Sequence, residues 1–190
     1  MILSDRDIKR ALTEKRIVIK PLPHFEEALA ACTLDLRLHD EFEVFEHTQI
    51  PFFDIRNMNN VEEATEKIVV KDGKPFILQP GKFALASTRE WVELPDDIAG
   101  RLEGRSSIGR LGIIVHSTAA LIHPGMKGRI VLELSNLSQI PVALYPGMRV
   151  CALSFEQLTG PAEVPYSKQK TAKYFNQRGV MGSKIGKDLG

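Results

Sequence analysis

The sequence predicts a mainly β chain: a barrel or sandwich of short strands with a helical start and short helical insertions. Three observations support this. From Thr33 onward apolar and polar residues alternate over short runs, as in Thr33-Leu34-Asp35-Leu36-Arg37-Leu38, which suits strands with one buried face. Turn signals punctuate those runs at short intervals: Asp72-Gly73, Gln79-Pro80-Gly81, Leu94-Pro95, Tyr145-Pro146-Gly147 and Thr159-Gly160-Pro161. The opening residues carry helical spacing behind a capping residue.

In order along the chain, Ser4 or Asp5 caps an amphipathic helix whose inner positions include Ile8, Ala11 and Leu12, and which is expected to end before Pro21. Strands are then expected over 33–38, 41–45, 67–70, 76–78, 83–87, 111–116, 129–134, 142–144 and 150–155. Residues 57–66, with Asn57-Met58-Asn59-Asn60 and a Glu-rich stretch, read as an exposed loop or one helical turn. No repeat, low-complexity tract or long linker divides the 190 residues, so one domain over 1–190 is expected.

A hydrophobic fraction of 43% with 26% charged residues suits a soluble globular protein, and no apolar run nears the roughly 20 residues that span a bilayer. The charged start lacks the form of a signal peptide, so a cytoplasmic protein without a membrane partner is expected. Cys32 and Cys151 lie far apart, without Cys-x-x-Cys spacing, and both are expected to be buried free thiols in strand-like contexts. Charge is uneven: residues 165–190 carry net +5, in an overall net charge of +1, and the remainder is net −4. Such an arm suits nucleic acid or a small anion equally by composition, but the negative body would repel a polyanion.

The segment Gly104-Arg105-Ser106-Ser107-Ile108-Gly109-Arg110-Leu111-Gly112 combines permissive glycines, two hydroxyls and two guanidiniums. It reads either as a phosphate site or as a tight turn with surface arginines. It is no Walker A loop, because Arg110 and Leu111 stand where lysine and a hydroxyl belong. In Arg129-Ile130-Val131-Leu132-Glu133-Leu134, period two puts Glu133 on one face with Val131 and Arg129, either toward solvent or in a cleft where it could shuttle protons. His116 and His123 lack zinc-site spacing, and the His-x-Glu with Pro-Cys-x-x-Cys signature of zinc deaminases is missing. His116 is read as a hydrogen-bonded core residue.

Together these segments resemble bacterial dCTP deaminases, members of a family that includes trimeric dUTPases. The resemblance runs through Leu3-Ser4-Asp5-Arg6-Asp7-Ile8, Thr33–Leu38, Pro80-Gly81, Gly104-Arg105-Ser106-Ser107, Val131-Leu132-Glu133, Pro146-Gly147-Met148, Ala172-Lys173-Tyr174 and Asn176-Gln177. It implies a distorted β-barrel of the dUTPase-like β-clip type, assembled as a homotrimer with sites at subunit contacts. It implies zinc-independent hydrolytic deamination of dCTP to dUTP and ammonia in pyrimidine deoxynucleotide synthesis. Arg105, Ser106, Ser107, Ile108, Gly109 and Arg110 would surround the triphosphate and reacting water, Val131 and Leu132 would address the base, and Glu133 would carry protons. Tyr166, Lys173 and Gln177 would close a basic lid, residues 165–190, over the nucleotide, and Mg2+ would ride on the triphosphate.

One position departs from the family. Leu121-Ile122-His123-Pro124-Gly125 has histidine where the family carries an aspartate that addresses the sugar and, in dUTPases, the attacking water. Diphosphohydrolase activity is correspondingly less expected. The competing readings are a dUTP diphosphatase or bifunctional deaminase, and a non-catalytic nucleotide-binding barrel module.

Overall fold

The computed structural model describes residues 1–45, 52–55, 64–71 and 73–188. The chain opens with α1 (Asp5–Thr13), where the Ser4 hydroxyl caps Asp7 N and Asp5 and Asp7 place negative charge at the positive end of the helix. Ile8 and Ala11 are its buried face. The helix ends before Pro21 as expected: Lys15 just beyond it takes a left-handed φ of 58, and the chain then pairs as β1 (Val18–Lys20) with the end of β5 (Phe83–Glu93). A single turn, α2 (Phe25–Ala28), follows.

The remaining strands are β2 (Thr33–Phe45), β3 (Thr65–Val69), β4 (Phe76–Leu78), β6 (Ile98–Gly104), β7 (Ile113–Ile114), β8 (Leu121–Ile122), β9 (Lys127–Asn136), β10 (Val142–Leu144) and β11 (Arg149–Gln157). The one-turn helix α3 (Ser106–Gly109) lies between β6 and β7. The main sheet runs β7-β9-β5-β2-β11-β6-β8, with β1 added to β5 and β3 to β2, and β10 pairs β4 separately. All of these pairings are antiparallel. The two runs expected over 33–38 and 41–45 are one strand. Its register against β5 slips between Leu38 and Phe42, which breaks the alternation at His39-Asp40. The strand expected over 111–116 shrinks to two residues. Of the loop expected over 57–66, residues 57–63 lie outside the described residues, Ala64 is buried, and Thr65 and Glu66 begin β3.

The core is formed by the inward faces of the long strands. Leu34, Leu36, Leu38, Leu132, Leu134, Leu153 and Phe155 are fully buried, and Phe42 stacks on Phe76 with centroids 4.1 Å apart. Glu90 is also fully buried and is paired with Arg37 through Nε at 2.6 Å and through the Arg37 backbone N at 2.8 Å. Cys151 is buried as expected, and burial, reinforced by Glu90 and Asp35, pushes its thiol pKa far up. Cys32 is exposed instead, because it lies ahead of β2 rather than within a strand. Among the described residues no helix is long and apolar enough to cross a membrane.

Candidate active site

A cavity of about 600 Å3 opens on the outward face of β9. Period two sends Arg129, Val131 and Glu133 to its wall, while Leu132 and Leu134 go to the core. Arg129 and Glu133 are thus about 13 Å apart along the strand, at opposite ends of one wall. The segment between β7 and β8 contributes His116 and Ala119, and the turn after β8 contributes His123 and Met126. Tyr166, Tyr174, Gln177 and Met181, all from the tail, complete the enclosure.

Glu133 is half-buried and faces this cavity rather than bulk solvent. Its carboxylate accepts from Ser117 N at 3.1 Å and from Thr118 Oγ1 at 3.2 and 3.3 Å. Its own backbone N donates to Val115 O at 3.2 Å. The chain that crosses the mouth of the strand therefore fixes the side chain, and a rigid carboxylate faces an apolar-lined space. Among the described lining residues Glu133 is the only acid.

His116 departs from the hydrogen-bonded core role expected of it. Both ring nitrogens are buried without a hydrogen-bond partner in the chain, and the ring lines the cavity. Its neighbours Ser117 and Thr118, which carry no motif of their own in the sequence, are the donors to Glu133. The pair of adjacent donors just after an apolar strand was their only local signal.

The tail wraps over the opening by specific contacts. Tyr166 N donates to Pro124 O at 2.8 Å, and the Tyr166 ring stacks on His123, with centroids 5.9 Å apart and planes inclined by 8°. Tyr166 Oη accepts from Tyr174 N at 3.1 Å, and Tyr174 Oη accepts from Lys184 N at 3.0 Å. Gln177 is 6% exposed, and its Nε2 donates to Gly179 O at 2.9 Å.

The sequence-derived candidates fall into two groups. Val131, Glu133, Tyr166 and Gln177 meet at the cavity, joined by His123. Arg105, Ser106, Ser107, Ile108, Gly109 and Arg110 do not line it, nor do Leu132 and Lys173. Ile108 is buried and anchors the turn, while Ser106, Ser107, Gly109 and Arg110 are exposed. Arg105 Nε is held by Asp35 Oδ2 at 2.9 Å and its Nη1 donates to Arg149 O at 3.1 Å. Beside this turn three large apolar side chains stand in solvent: Leu111, 56% exposed, Leu137, 70%, and Ile140, 72%. Among the described residues no three His, Cys, Asp or Glu side chains converge as metal ligands.

The profile of the dCTP deaminase-like family matches residues 2–158. The chain belongs to this family. It is 54% identical over 189 residues to a protein of Thermomicrobium roseum named dCTP deaminase, covering 100% of this chain and 96% of that one. It is 48% identical over 189 residues to a protein of Dictyoglomus turgidum named dCTP deaminase, dUMP-forming, covering 100% and 97%. Among solved structures, the 2'-deoxycytidine 5'-triphosphate deaminase of Agrobacterium tumefaciens superposes with a TM-score of 0.65 at 20% identity. That match covers 82% of this chain but 48% of the other, so the chain spans about half the length of that structure, and the likeness is one of fold. Membership of the family bears out the resemblance and the dUTPase-like barrel.

Proposed function

We propose that this chain deaminates dCTP hydrolytically to dUTP and ammonia, with Glu133 as the proton carrier. The observation that carries the reading is the Glu133 carboxylate, held by two donors and facing the cavity of a dCTP deaminase-like barrel. Glu133 takes a proton from a water, and the hydroxide forms a bond to C4 of cytosine. The carboxyl protonates N3, then takes the proton of the new C4 hydroxyl and passes it to the amino group; the C4–N bond breaks as the C4 carbonyl forms, and ammonia leaves. Acid–base work of this kind is worth roughly 10²–10⁴ in rate. The His116 ring nitrogens, without partners in the chain, add polar capacity beside the base.

Residues 165–190 act as the lid on a single domain of 1–190, with Tyr166, Lys173 and Gln177 closing on the nucleotide. The phosphate turn, Arg105–Arg110, serves a neighbouring subunit's cavity in a homotrimer. Two features support this: none of the six lines its own chain's cavity, and the exposed Leu111, Leu137 and Ile140 beside them suit burial against another copy. Mg2+ enters with the triphosphate, as part of the substrate, and the chemistry proceeds in the cytoplasm without zinc.

A second reading, deamination continuing to dUMP and pyrophosphate, draws on relatives whose names carry that activity. Against it stand the lack of a second acid among the described lining residues and the stacking of His123 on Tyr166. Purified protein incubated with dCTP and magnesium decides the matter. Ammonia and dUTP in equal amounts are expected. Pyrophosphate and dUMP would establish the second reading, and no turnover with retention of single-stranded DNA would establish a binding module.

A further inference from the structure

At the end of the cavity away from Glu133, the tail joins β9 as a short added strand. Asn176 N donates to Lys127 O and Arg129 N to Gln177 O, each at 2.8 Å, and Gly128 and Gln177 form a parallel bridge. One side chain reinforces this seam: Arg129 Nη1 donates to Arg178 O at 3.0 Å and meets His39 Nε2 at 2.7 Å. A guanidinium has no lone pair to offer, so His39 must accept through Nε2 and carry its hydrogen on Nδ1. Nδ1 lies 2.8 Å from Asp40 Oδ1 without hydrogen-bond geometry. We propose that His39 is a positioning residue for the reaction: as a neutral acceptor it aims Arg129 at the tail carbonyl, and so holds Gln177 and the lid across the nucleotide.

The charge around His39 agrees with this. Arg129 faces it from β9 and Arg89 from β5, while Asp40 and Glu41 flank it on β2, and the Glu41 carboxylate also borders Gly179 of the tail. Burial lowers the pKa of His39 below its ordinary value, the two arginines lower it further, and Asp40 and Glu41 oppose them. The docked tail therefore favours neutral His39. Protonation would turn an acceptor into a donor against Arg129, which would swing away and release Arg178 O. Docking is complete above the ordinary histidine pKa of about 6.5 and weakens as pH falls through the lowered value.

The proposal rests on the deaminase reading for its kinetic arm. For the wild type, KM for dCTP is expected to rise several-fold between about pH 7.5 and about pH 5.5, beyond any change in kcat. His39→Gln, an acceptor that does not titrate, is expected to keep a low KM at both. His39→Lys, a fixed cation, is expected to have a raised KM at both. The same acid-side rise in His39→Gln, or a wild-type KM in His39→Lys, would overturn the proposal. Hydrogen exchange over residues 176–180, corrected for intrinsic rates, decides it independently of turnover. Faster exchange there in His39→Lys, with β9 and β11 still protected, is expected; equal exchange in all three proteins would overturn it. If the wild type fails to turn over dCTP, the deaminase reading falls, and the exchange result alone judges the latch.

Discussion

Strand β9 and the tail after Pro161 wall the same cavity, yet they are held in unlike ways. β9 is hydrogen-bonded to β5 along most of its length and to β7 at one end, and its inner face carries the fully buried Leu132 and Leu134. The tail adds one bridge at Gln177, a ring stack and a few polar contacts, with Pro165 and Val180 as buried apolar residues. A side chain on the strand is thus positioned by the whole barrel, whereas one on the tail is positioned by contacts that cost little to break. The strand suits chemistry that needs a fixed atom, and the tail suits capture and release.

The largest test of that division is Glu133→Gln. Gln accepts the same hydrogen bonds from Ser117 and Thr118 but cannot cycle a proton, so kcat should fall by roughly 10²–10⁴ while the melting temperature holds. Near-normal turnover would remove Glu133 from the mechanism. One residue away, Leu132→Ala should do the reverse. It leaves the cavity wall in place but costs about 2–5 kcal/mol in urea denaturation, and a smaller loss would mean that the barrel closes over the gap. The smallest effect belongs to the seam. Gly128 sits at φ +147, and a Cβ there would meet Gln177 N and O at 3.0 Å each. Gly128→Ala should cost about 1–3 kcal/mol, felt chiefly in tail docking, and should appear as a raised KM with the barrel's denaturation midpoint little changed. A matching fall in global stability would erase the distinction between strand and tail.

Much of the barrel is legible in the sequence because alternation is a local property. Residues 76–78 and 142–144 form strands where expected, and the alternation over 129–134 by itself puts Arg129, Val131 and Glu133 on one face. β6 escapes because Ile98, Ala99 and Gly100 are buried in succession, so no polar residue marks an outer face there. Gly100 lets the strand approach Leu153, whose Cδ1 lies 3.1 Å from where a Cβ would be. The site is legible in the acid and not in its setting. Ser117 and Thr118 become its partners, and Gln177 becomes a strand neighbour of Gly128, only through pairings between residues distant in sequence.

The two sulfurs meet the outside world differently. Cys151 is shut away in β11 with its thiol pushed toward the unreactive form, so peroxide and alkylating agents reach Cys32 first. Oxidative wear would therefore collect at a peripheral position ahead of β2, and the packed interior would keep its shape until the barrel itself opened.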